Sequence, residues 1–184
     1  MKKVFWGFFF IYLNFNLTLN GFTLNLLPDF VGYLLLYQAA GTLAGESGRF
    51  PKLRPFSLAM AVYTGILWVG ELLGVTGENW LGTLLGLAAT AVGLFISWSV
   101  VQAVLEMESA RGADLNGHSL RTAWFILLAV QIAGYLAVFL VFGGLALMVL
   151  VAGLVGVIWF LAALWKCAKC YDLLPPKDAG LEEL

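Results

Sequence analysis

Charge is what this chain has least of. Ten Lys or Arg and eleven Asp or Glu make up 11% of its 184 residues, where a soluble domain carries about 25%. A water-soluble fold could not cover its apolar area with so few charges. The net charge of −1 excludes a strongly basic nucleic-acid binder, and no basic stripe occurs. Two cysteines three residues apart provide no disulfide framework. There is one histidine, and no HExxH helix, phosphate-cradling glycine loop or nucleophile with an evident base partner. No enzymatic activity and no cofactor are therefore expected.

What fills the chain is apolar. Hydrophobic residues make up 61%, mean hydropathy is +0.92, and charge-free runs recur near the roughly 20 residues that cross a hydrocarbon core. The expected fold class is an all-α membrane protein, a bundle of six transmembrane segments at about residues 4–14, 29–45, 56–74, 80–105, 122–142 and 145–165. Residues 1–171 would form one transmembrane domain, and 172–184 a flexible cytoplasmic tail. Lys2-Lys3 before an apolar run resembles the start of a signal peptide, but no A-x-A cleavage site follows, so an uncleaved segment is expected.

Residues 14–33 (NFNLTLNGFTLNLLPDFVGY) break the pattern. Polar and apolar residues mostly alternate, the strand period, with Asn20-Gly21 at the centre, a strong hairpin signal. A short β-hairpin is expected at about residues 15–26, between segments one and two. With the N-terminus inside, six crossings put all ten Lys and Arg residues on the inner face, which satisfies the positive-inside rule and sets the hairpin outside. Both termini are then cytoplasmic, the location is the cell membrane, and Trp6, Trp80, Trp124 and Trp165 fall at interfaces. The texts YQAAGTLAGES and VQAVLEMESA, at the ends of segments two and four, are alike; ordinary helix-end composition explains them better than duplication.

Candidate site residues follow from these placements. Asp29, Tyr33 and Tyr37 share a helix face at i, i+4 and i+8, either as a polar pathway or as a helix cap with aromatic packing. Glu71 is the only acid inside a span, a functional signal by default, although it lies near the outer interface. With Glu78 these acids would form an outer vestibule that concentrates cations, unless they are only the residue of a rule that excludes bases. Gly41/Gly45, Gly70/Gly74 and Gly82/Gly86 have the small-residue spacing that lets helices approach. Gln38, Gln102 and Gln131 are expected to hold helices together. Cys167 and Cys170 read best as free thiols and only weakly as part of a metal site, since four ligands are not at hand. His118 reads as a solvated loop residue.

Lys2-Lys3, Phe5-Trp6-Gly7 and above all Leu27-Pro28-Asp29-Phe30-Val31-Gly32-Tyr33 resemble a group of small integral membrane proteins of Gram-positive bacteria that carry an L-P-D-F-[IV]-G-Y motif. The resemblance covers about residues 2–45. It implies a bacterial cytoplasmic membrane and carries no activity. Function is expected in one of two classes. The first is a non-catalytic scaffold or accessory subunit in the lipid bilayer, contacting another membrane protein or itself through the hairpin edge and glycine faces. The second is a small transporter or channel component for a cation or small polar solute. Nucleic acid is not an expected partner.

Overall fold

The computed structural model describes residues 1–13, 16–19, 22–25, 28–73, 80–139 and 143–175. Along them run α1 (Lys2–Tyr12), β1 (Asn16–Leu19), β2 (Phe22–Asn25), α2 (Asp29–Thr42), α3 (Arg49–Leu72), α4 (Trp80–Arg111), α5 (Gly117–Phe139) and α6 (Gly143–Asp172). Among the described residues four stretches are long and apolar enough to cross a membrane: Arg49–Gly70, Gly82–Arg111, Gly117–Leu136 and Met148–Asp172. Several such helices are the mark of a multi-pass membrane protein.

The expected fold class, six transmembrane segments, is corrected to six helices of which four have spanning length. α1 has 11 residues and α2 has 14, about 16 and 21 Å long, against a hydrocarbon core of about 30 Å. The cause is local: the apolar run of α1 gives way to asparagines after Leu13, and Pro28, the residue before α2, has no N–H to carry a helix through. Between the two helices β1 and β2 pair antiparallel, Asn16 opposite Asn25 and Leu19 opposite Phe22, and β2 packs beside α3. Asn20 and Gly21, expected at the turn, lie outside the described residues, as do residues 176–184 of the tail.

The long helices also reach further than their apolar runs. α3 starts at Arg49, seven residues before the expected 56. Pro51 falls in the first turn, where its missing N–H has no helical acceptor; Pro55 lies inside the helix and forgoes one bond. α4 continues to Arg111, where Gly112 at φ 60° ends it. The Glu108 carboxylate then accepts the Leu115 and Gly117 N–H groups at 2.8 and 2.7 Å, which starts α5 five residues before the expected 122. α6 runs on past residue 165 to Asp172.

Each helix packs on its sequence neighbours, and α1 packs on α6, so the six form a closed ring. The tightest crossing is between α1 and α2. A Cβ on Gly32 would stand 2.5 Å from the Gly7 carbonyl oxygen, and one on Gly7 would stand 2.9 Å from the Gly32 carbonyl oxygen. Two bare backbones touch there, as small residues in membrane helices allow. The glycines expected in that role do otherwise. Gly45 and Gly86 face space open to at least 4 Å, and a Cβ on Gly41 would meet only Arg54, at 3.8 Å. Gly70 is half-buried on α3, Gly82 is exposed on α4, and Gly74 lies outside the described residues.

Packing is uneven along the ring. At the end where the chain's basic residues gather, Ile96, Val100, Val104, Met107, Leu120 and Leu164 are closed off. Towards the other end, residues 82–88 of α4 are all exposed, seven in succession and so every face of two turns. The bundle is a wedge, sealed at the basic end and splayed at the hairpin end. Trp124, expected at an interface, is instead in the core: it is 8% exposed, and its indole N–H donates to Ser97 Oγ at 2.9 Å.

Candidate functional site: a polar cavity inside the ring

Where the wedge opens, a cavity of about 480 Å³ lies inside the ring. α1 gives it Phe8 and Tyr12, α2 gives Asp29 and Tyr33, and the second half of α3 gives Tyr63 and Thr64. The first half of α4 adds Gly86, Thr90 and Gly93, and the middle of α5 adds Gln131. Short α1 and α2 make this possible. α1 ends and α2 begins at the level of the cavity, so the first helical residue of α2, Asp29, sits on its wall.

Several contacts hold the walls. Phe8 meets Phe160 edge-on at 5.5 Å, and Tyr12 meets the same ring at 5.8 Å, which anchors the α1 side on α6. Phe30 packs on Trp68 at 5.7 Å, so the start of α2 is fixed against α3 on the outside of the ring. The Tyr33 hydroxyl reaches α4, 3.3 Å from where a Cβ on Gly93 would stand; the bare glycine leaves it room. Thr64 and Thr90 spend their hydroxyl protons within reach of their own helices, on the Met60 and Gly86 carbonyls at 2.8 and 3.0 Å. Thr90 is also 3.0 Å from the Tyr135 hydroxyl, a polar link between α4 and α5.

The candidate pathway residues divide. Asp29 and Tyr33, one turn apart, line the cavity together. Tyr37, one turn further, belongs to the basic end: its hydroxyl accepts from Arg54 at 2.9 Å, and the guanidinium lies over its ring at 4.7 Å. The side chain of Glu71 and the whole of Glu78 lie outside the described residues. Of the amides, Gln131 faces the cavity, Gln38 accepts from Lys3 at 3.2 Å, and Gln102 is half-buried. Cys167 is buried and Cys170 half-buried, both with free thiols. Among the described residues no three His, Cys, Asp or Glu side chains stand close enough to hold a metal ion.

Sequence reasoning missed Tyr12, Tyr63, Thr64 and Thr90. Tyr12, Thr90 and the adjacent Tyr63 and Thr64 are isolated polar spots in apolar stretches, a weak signal separately, and only their convergence makes a site. It also missed the lock at the basic end. Arg111 is bidentate on Glu46, with Nε 3.1 Å from Oε2, and donates to the Pro175 carbonyl at 2.8 Å. Tyr171 also donates to Glu46, at 3.2 Å. In return Arg49 pairs with Glu106, which the Ser47 hydroxyl also reaches. The two similar texts of the sequence each hold one acid of this lock, Glu46 in YQAAGTLAGES and Glu106 in VQAVLEMESA. The loop after α2 and the end of α4 exchange ion pairs, and α6 is tied in through Tyr171.

No family model matches the chain, and no curated protein and no solved structure matches it.

Proposed function

We propose that the protein is a small transporter or channel component of the cell membrane, which takes a small polar or cationic solute into the Asp29 cavity from the hairpin side. The observation that carries this is the cavity itself: a carboxylate, tyrosine and threonine hydroxyls and an amide converge inside an otherwise apolar ring. Polar groups at membrane depth are expensive to maintain and mark solute pathways. The wedge agrees, with the ring splayed beside the cavity and sealed by ion pairs at the far end. By the positive-inside rule the basic end is cytoplasmic and the cavity opens outward. The resemblance of the N-terminal third adds a bacterial membrane to this reading.

Thiol accessibility tests it. With Cys167 and Cys170 replaced by Ala, Thr64→Cys and Thr90→Cys should react with a membrane-impermeant maleimide added from the hairpin side, and Ser57→Cys, at a fully buried position, should not. If both cavity thiols stay unlabelled from either side while Gly82→Cys reacts, the cavity is not a solute path. A scaffold or accessory role is the second reading. It draws on residues 82–88, exposed on every face, which offer a partner membrane protein two turns of helix. Stoichiometric co-purification of such a partner from native membrane would favour it.

A further inference from the structure

We propose that the groove between α1 and α6 binds an anionic phospholipid, with one acyl chain in the groove and the phosphate among Lys2, Lys166 and Lys169. The groove lies on the outer side of the ring and holds about 500 Å³, in the range of small-molecule sites. It uses another face of α1 than Phe8 and Tyr12, which line the polar cavity, and is separate from that cavity. Trp6, Phe9 and Leu13 of α1 and Ile158, Ala162 and Trp165 of α6 form its walls, and every described side chain that lines it is apolar or aromatic.

Length and charge decide the occupant. Lys2 reaches Asp172 at 2.9 Å, Phe5 meets Trp165 at 4.8 Å and Phe8 meets Phe160 at 5.5 Å, so the two helices run antiparallel. The apolar walls extend about 10–12 Å at 1.5 Å per residue, most of the roughly 15 Å of hydrocarbon in one leaflet. That is the depth an acyl chain occupies. Both walls then lead to lysine at the same end. Lys2 is one turn from Trp6, and Lys166 and Lys169 are one turn from Ala162 and Trp165, on the faces that form the walls. Lys169 Nζ lies over the Trp165 ring, 5.5 Å from its centroid, at the mouth of the groove. Lys166 and Lys169 are exposed, and so are both sides of the Lys2–Asp172 pair, which therefore holds its partners weakly against a competing phosphate. Basic residues between membrane helices at headgroup level recognise anionic lipids, and Trp6 and Trp165 flank them as interfacial tryptophans do. A partner helix suits the groove less well. Membrane helices approach one another over small residues, whereas the rings of Phe5, Trp6, Phe9 and Trp165 fill this surface.

The experiment uses the full chain in maltoside detergent, titrated with dioleoyl phosphatidylglycerol and, as the control, dioleoyl phosphatidylcholine. Native mass spectrometry counts the bound lipid. The first phosphatidylglycerol should bind about tenfold more tightly than the first phosphatidylcholine. Lys166→Gln together with Lys169→Gln should bring the two affinities within about twofold of each other. Lys52→Gln, at an exposed position of α3, should leave the preference intact. Ala162→Trp should fill the groove and abolish the tight site for either lipid. Equal binding of the two lipids by the parent protein overturns the inference. So does a preference that survives the double substitution, one that Lys52→Gln lowers as far, or binding untouched by Ala162→Trp. A dimer that Ala162→Trp dissociates assigns the groove to a second copy and overturns it as well. Lys166, Lys169 and Ala162 are all exposed, and charge and groove are altered in separate variants, so if one does not fold the other decides.

Discussion

Replacing Gly32 by Ala adds one methyl group at the α1–α2 crossing, and the outcome can be worked from distances. The new Cβ would lie 2.5 Å from the Gly7 carbonyl oxygen, 2.7 Å from Ile11 Cγ1 and 3.1 Å from Phe10 Cβ. Ordinary contact begins near 3.4 Å, so the crossing must open by about 0.9 Å. The nearest obstacle is backbone, and no rotamer change relieves it. Overpacking a tight contact costs about 1–3 kcal/mol, and a backbone obstacle puts this variant in the upper part, about 2–3 kcal/mol. For a chain of this size that is a fall in Tm of about 4–12 °C. Gly86→Ala is the control. It adds the same methyl inside a helix with nothing within 4 Å, where Ala is favoured over Gly by up to about 1 kcal/mol, so Tm should hold or rise. Gly7→Ala separates side-chain from backbone obstruction. Its Cβ meets Leu36 Cδ2 at 2.8 Å as well as the Gly32 carbonyl at 2.9 Å, so adding Leu36→Ala should relieve part of its clash but nothing in Gly32→Ala. Thermal unfolding of the purified variants in one detergent measures all of these. If Gly32→Ala melts with the parent protein, α1 and α2 do not cross at these glycines, and the geometry of the Asp29 wall, three residues away, falls with them.

Arg111→Ala should destabilise by about 2–4 kcal/mol, because the Glu46–Arg111 pair is only about 15% exposed and the carboxylate would lose its countercharge with little solvent to replace it. Arg49→Ala should cost under about 1 kcal/mol, since its pair with Glu106 is 43% exposed on both sides; equal losses in denaturant titration would contradict the difference in burial. Ser97→Ala leaves the buried Trp124 N–H without its acceptor and should cost about 1–3 kcal/mol, visible as a lower Tm. In native protein a maleimide should modify Cys170, which is half-buried, well before Cys167, which has no exposed surface. Mass spectrometry of a labelling time course resolves the two sites, and Cys167 reacting first would place α6 in the wrong rotation.

Much of the architecture could be read from local composition. Apolar runs longer than a bilayer core locate α3 to α6, because a helix in lipid must satisfy its backbone within itself and show apolar side chains on every side. The spacing of Asp29 and Tyr33 puts them on one helix face, since i and i+4 are neighbours on any α-helix. Counting apolar runs failed at α1 and α2. A run of ten apolar residues marks a helix too short to cross alone, and the count of six crossings leaned on putting all ten Lys and Arg on one face, which does not measure helix length. Helix ends failed too: capping by Glu108, and Pro51 placed in a first turn, let α3, α4 and α5 extend into text that looked like loop.

What only the tertiary structure decided is which distant residues meet. Gly41, Gly45, Gly82 and Gly86 have the spacing of a packing motif, yet Gly7 and Gly32, 25 positions apart, make the contact. Tyr37 continues the stripe of Asp29 and Tyr33 in sequence, but Arg54 from α3 claims it for the basic end. The cavity needs one or more residues from each of five helices, and Thr64, Thr90 and Gln131 become site residues only because ring closure brings them to Asp29. Spacing along one helix fixes a face, through the 3.6-residue repeat. Which face meets which neighbour depends on the crossing of all six helices, and that is a sum over non-local contacts which no single stretch of the chain contains.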